Sequence, residues 1–135
     1  MTKVSESMPA TARDIVAEWL ALAEQDHEVA SRIFDLPGVA AFHLQQAAEK
    51  ALKAALVHGA VRPPRTHDLL HLRQMLGSQI EWPEDIEFLT QLTAWNVIFR
   101  YVEAEPGTEA TGSAVKAASV RIRVLLDEVR ALAGL

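Results

Sequence analysis

FHLQQAAEKALKAALVHGAVRPPRTHDLLHL, residues 42–72, is the stretch whose reading decides the fold. From Phe42 to Val57 it contains no proline or glycine and is dominated by Ala, Leu, Gln, Glu and Lys, the composition of a helix. At 100° per residue, Leu44, Ala47, Ala48, Ala51, Leu52, Ala54, Ala55 and Leu56 share one broad arc, and Gln46, Glu49, Lys50 and Lys53 share the opposite one. The expectation is a helix with one core face and one polar, presented face. Gly59 is placed to stop it, and Arg62-Pro63-Pro64-Arg65 makes a stiff connector that cannot continue it. Thr66 then reads as the N-cap of a following helix, with Asp68 in its first turn.

Two ordered segments of this stretch, QQAAEKALKAAL (45–56) and PPRTHDLLHL (63–72), resemble the HEPN family, the higher eukaryotes and prokaryotes nucleotide-binding domain. Its members carry a QxAEKxLKA helix followed by a THDL segment. Arg100-Tyr101 is similar to an Arg-Tyr that many members carry late in a further helix. The resemblance implies an all-α, up-and-down bundle of about five helices covering nearly the whole chain. It does not fix an activity, because one fold hosts more than one function.

Composition agrees with a single helical domain. The 135 residues suffice for one core, and half are hydrophobic while only 6% are aromatic, with an excess of Ala, Leu and Val. A formal charge of −5 argues against coating nucleic acid by bulk positive charge, so any nucleotide site must be local. There is no cysteine, which excludes disulfides and thiolate metal sites. No apolar run marks a signal peptide or a membrane span, and the chain reads as cytoplasmic with no membrane partner.

Residues 1–10 read as a flexible N-terminus and 11–135 as the bundle. Thr11 and Asp14 form an imperfect capping box for a first helix over roughly 11–34, in which Ile15, Trp19, Leu22, Asp26, Val29 and Ile33 recur at helical spacing. Asp26 interrupts that stripe. It reads either as a carboxylate satisfied by a partner or as part of a polar pocket between helices. Leu36-Pro37-Gly38 separates the first two helices, and the third runs from Thr66 to about Leu76 with Leu69, Leu72 and Leu76 inward, closing at Gly77. Trp82-Pro83-Glu84-Asp85 opens a fourth, carrying Ile86, Leu89, Leu92, Asn96 and Phe99 inward. After an acidic loop at 103–107, Thr108 or Ser113 caps a last helix that ends at Gly134. This helix packs through Ala114, Ala117, Ala118, Val124, Leu125 and Leu132, and leaves Arg121, Arg123 and Arg130 to solvent.

Among the five histidines, His67 and His71 have the i, i+4 spacing of zinc helices, but no Glu lies between them, and a capping or hydrogen-bonding role fits His67 better. Neither a Gly-x-Ser-x-Gly elbow nor a glycine-rich phosphate loop is present, and nothing implies a cofactor or a metal. Phosphate recognition by side chains is the remaining chemistry. Lys50, Lys53, Arg65, His67 and Asp68 lie close in sequence, and Arg100 and Tyr101 join them as an anion contact and a stacking surface. Each also has an ordinary reading: Glu49 pairs with Lys53 on a solvated face, His67 and Asp68 tie the proline connector to the second helix, and Arg100 pairs with an interior acid such as Asp26.

Ribonucleases of the family use an arginine followed four to six residues later by a histidine in a late helix. No histidine follows His71, so Arg100 lacks that partner; Arg62 and His67 have the spacing but flank a Pro-Pro connector. The expectation is therefore a non-catalytic, nucleotide-binding accessory protein, a homodimer by resemblance to the family, working beside a separate minimal nucleotidyltransferase in a toxin–antitoxin-like pair. The chain has no nucleotidyltransferase signature of its own. The alternatives are a ribonuclease toxin and a purely structural dimerisation module.

Overall fold

The computed structural model describes residues 11–82, 85–95 and 110–135, and these form five α-helices. They are α1 (Ala12–Arg32), α2 (Pro37–His58), α3 (Leu69–Leu76), α4 (Ile86–Ala94) and α5 (Gly112–Ala133), with a 3₁₀ turn at Gly77–Gln79. No strand occurs among the described residues. The all-α bundle expected from the sequence is the fold observed.

The long helices α1, α2 and α5 pack on one another, and α2 also carries α3 and α4. Cross-helix bonds give their directions. Asp26 meets His43 and Lys50, while Trp19, earlier in α1, meets Lys53, later in α2, so the two helices are antiparallel. Arg13 bonds to the carbonyls of Ala133 and Gly134, and His27 to that of Ser119, so α1 is antiparallel to α5 as well. A short connector forces this reversal at the α1–α2 turn.

Local chemistry sets the helix ends. The Thr11 hydroxyl accepts from the Asp14 amide at 3.1 Å and the Asp14 carboxylate accepts from the Thr11 amide at 3.1 Å, completing both halves of the capping box. Pro37 and Gly38 belong to the first turn of α2 rather than to the break, because proline fits where no amide donor is needed. Asp68, not Thr66, caps α3: its carboxylate accepts from the His71 amide, and Thr66 accepts from the Asp68 amide one turn earlier. Asp85 caps α4 in the same way, accepting from the Phe88 amide at 2.7 Å. Thr111, rather than Thr108 or Ser113, caps α5, since it lies three residues before the Ala114 amide that it accepts from.

Gly59 is the C-cap of α2 but has an ordinary φ of −83°. The left-handed residue is Ala60, with φ +61°, and the Ala60 and Val61 amides donate to Val57 and Leu56. This is the Schellman arrangement with alanine where glycine usually sits.

The core runs along α2. Leu44, Leu52 and Leu56 are fully buried together with the alanines between them, against Leu20 of α1, Leu72 of α3, Leu89 of α4 and Ile122 of α5. Several expected inward residues turn outward: Ile86 at the start of α4 is exposed, as are Ala117 and Val124 of α5, where Val115, Ile122 and Val129 are buried instead. Small alanines at 114, 117 and 118 flatten the hydrophobic arc, so composition alone misplaced its centre. Asn96, Phe99 and the acidic loop at 103–107 lie outside the described residues, as do residues 1–10 and Pro83-Glu84.

A candidate functional site on the second helix and its connector

The polar arc of α2 is not a solvated face. Glu49 is only 5% exposed and Lys53 8%, and Gln45 is fully buried. At i, i+4 spacing, Gln45, Glu49 and Lys53 form a ladder: the Gln45 amide donates to Glu49 Oε1 at 3.1 Å and the Lys53 ammonium to Glu49 Oε2 at 2.9 Å. His67 Nδ1 donates to Glu49 Oε1 at 2.8 Å from the connector. Burial alone would raise the Glu49 pKa, but the hydrogen bonds from His67, Lys53 and Gln45 outweigh it and hold the carboxyl below its ordinary range. Lys53 also lies 5.8 Å from the centre of the Trp19 ring.

One turn away, Asp26 of α1 forms the second node. It is 8% exposed, and it accepts from His43 Nδ1 at 2.9 Å and from the Lys50 ammonium. Asp26 is thus satisfied between helices by partners on α2. Both buried acids hold a lysine and a histidine, so charge is balanced where the two helices meet.

The residues picked out in the sequence therefore separate. Lys50 and Lys53 are engaged with Asp26 and Glu49 and are not presented to solvent as a free cationic face. His67 reaches the same ladder through Glu49 while its side chain remains 62% exposed. Asp68 turns to cap α3, and Arg65, exposed beside them with Arg62, has no ion pair among the described residues. Because α3 begins at Leu69, His67 precedes the helix and shares no helical face with His71. Arg100 and Tyr101 lie outside the described residues.

The organising residue that the sequence concealed is Glu49. Its i, i+4 relations to Gln45 and Lys53 were visible, but the same spacing marks an ordinary surface ladder; only the neighbouring helices bury it. Arg123 and Arg130 were likewise expected in solvent, yet both bond to Glu24 of α1, Arg123 through two bonds of 2.7 Å. Arg121 lies over the Phe88 ring with its guanidinium 3.5 Å from the centroid.

The described residues hold no cluster of three or more His, Asp or Glu side chains placed to bind a metal, and no helix among them is long and apolar enough to cross a membrane.

The HEPN domain family profile matches residues 16–129. The crystal structure of TT1696 from Thermus thermophilus is similar at a TM-score of 0.72 and 26% sequence identity, over 87% of this chain and 97% of that one. ST0689, an archaeal HEPN homologue, is similar at a TM-score of 0.60 and 24% identity, again over 87% of this chain and 97% of that one, a likeness of fold. No curated protein matches significantly. With the profile spanning the bundle from α1 to α5, and with the glutamine–glutamate–lysine ladder and the Thr-His-Asp-Leu connector meeting at Glu49, the chain belongs to the HEPN domain family.

Proposed function

We propose that this chain is a non-catalytic accessory domain that recognises the phosphate of a nucleotide at the connector between α2 and α3, and that it works as a homodimer beside a separate minimal nucleotidyltransferase. The observation that carries this reading is the exposure of Arg62, Arg65 and His67 on a connector anchored to the core by the His67–Glu49 bond. In a chain of net charge −5, Arg62 and Arg65 have no ion pair among the described residues, and His67, though bonded to Glu49, keeps its side chain 62% exposed. Anchoring lowers the cost of ordering a binding segment, and arginine matches phosphate geometry. Lys50, Lys53 and Asp68 organise the site in this reading, while Arg100 adds an anion contact and Tyr101 a stacking surface. The missing histidine after Arg100 weighs against the ribonuclease alternative.

Thermal shift against a panel of nucleotides, with wild type beside Arg65→Ala and Arg100→Ala, tests the binding. A rise of several degrees for one nucleotide, lost in a variant that still folds, supports the reading. No rise for any nucleotide leaves a structural dimerisation module, and sedimentation equilibrium giving a monomer removes the homodimer.

A further inference from the structure

The Glu49–His67 pair has the geometry that elsewhere orients an imidazole for proton transfer: a buried carboxylate takes Nδ1–H and leaves Nε2 on the solvent side. Glu49 is held by more than His67, since Lys53 bonds its other oxygen and Gln45 shares Oε1. The remaining charged and titratable groups on the adjoining segments are Arg62, Arg65 and Asp68 in the connector, His71 and Arg73 on α3, and His43, Lys50 and His58 on α2; Arg73 is turned to the carbonyls of Trp82 and Gly77, and His43 and Lys50 to Asp26. Asp68 is occupied by the His71 amide, and among the described residues Glu49 is the acid bonded to His67. A ring anchored this way keeps its Nδ1 proton in both protonation states and gains or loses the other at Nε2.

We propose that His67 is a protonation-dependent phosphate contact: protonated, it offers Nε2–H to a phosphate oxygen beside the connector arginines; neutral, it presents a lone pair that repels it. Glu49 is the positioning residue. The inference rests on the phosphate-recognition reading above and adds which atom makes the contact and when.

Two measurements test it. Nitrogen-15 NMR of histidine side chains reports the tautomer, expected to be Nδ1–H for neutral His67; an Nε2–H tautomer overturns the proposal. Titration calorimetry at about pH 5.5 and about pH 7.5 then brackets imidazole titration. Sulfate serves as a tetrahedral dianion of constant charge, because a phosphate monoester itself titrates near pH 6; AMP and adenosine are added to separate phosphate from base. Sulfate is expected to bind about tenfold more tightly at the lower pH, a charge-assisted hydrogen bond gained. AMP is expected to bind and adenosine not to. The difference should vanish in His67→Gln, an exposed position where glutamine keeps a donor but cannot titrate. Equal sulfate affinity at both pH values, or a pH dependence retained in H67Q, overturns the inference and leaves nucleotide recognition standing. Adenosine binding as tightly as AMP also overturns it. Failure of both AMP and sulfate to bind at either pH overturns the inference together with the reading beneath it.

Discussion

Glu49 illustrates how one residue can change meaning without changing its sequence context. As a surface member of an i, i+4 ladder it would contribute a few tenths of a kcal/mol, but buried it is the acceptor on which a lysine, a glutamine and a histidine depend. Removing it strands the Lys53 ammonium at 8% exposure. Glu49→Ala should therefore cost about 3 kcal/mol in urea unfolding, the range for breaking a buried pair. His67→Ala removes an exposed donor and should cost only about 1 kcal/mol. Equal costs for the two would mean that the ladder is not held by its buried carboxylate.

At the scale of an element, the end of α2 carries a local conflict. Ala60 takes the left-handed conformation that closes the Schellman turn, at a steric cost that glycine would not incur. Against this stands the greater unfolded-state freedom of glycine, which offsets part of the gain. Ala60→Gly should stabilise the protein by about 0.5–1 kcal/mol, seen as a higher denaturation midpoint with an unchanged slope. A destabilised variant would show that the turn is held by contacts of the Ala60 methyl instead. The same turn launches the connector that carries Arg62, Arg65 and His67, so helix termination and site placement are one problem in this chain.

In the whole molecule, α2 is the common partner of the other helices, and its side chains set global stability. Leu52 is fully buried on it, and Leu52→Ala should cost about 3 kcal/mol by calorimetry or denaturant unfolding. The second global tie is the clamp of Glu24 between Arg123 and Arg130, which joins α1 to α5. The Arg123 hydrogen bonds, with a smaller share from Arg130 and against the opposing effect of burial, depress the Glu24 pKa from 4.5 to about 2. A carboxylate with a lowered folded-state pKa stabilises the fold above its unfolded value and loses that contribution as pH falls through the folded one. Between pH 4.5 and about 2, wild type should thus lose stability faster than Glu24→Gln, followed by circular dichroism. Parallel acid profiles for the two would remove the clamp from the account of acid unfolding.

Helix identity, the stop at Gly77, the Thr11 capping box and the all-α class were all determined by the sequence itself, because propensity, capping and turn chemistry act over three or four residues. The family was legible for the same reason: its two motifs lie within one stretch of 31 residues, 42–72. Which polar residues are buried was decided by tertiary structure. Glu49, Lys53, Arg123 and Arg130 read as solvated in a single helix, since a 3.6-residue period describes one face at a time. The pairing of all four, and the burial of Glu49 and Lys53, depend on segments that arrive from elsewhere in the chain: α1 brings Asp26, Trp19 and Glu24, and the connector brings His67. Charge pairs across such distances carry no local sequence signal, which is why the connector could be recognised in the sequence while its anchor on Glu49 could be assigned only in the folded bundle.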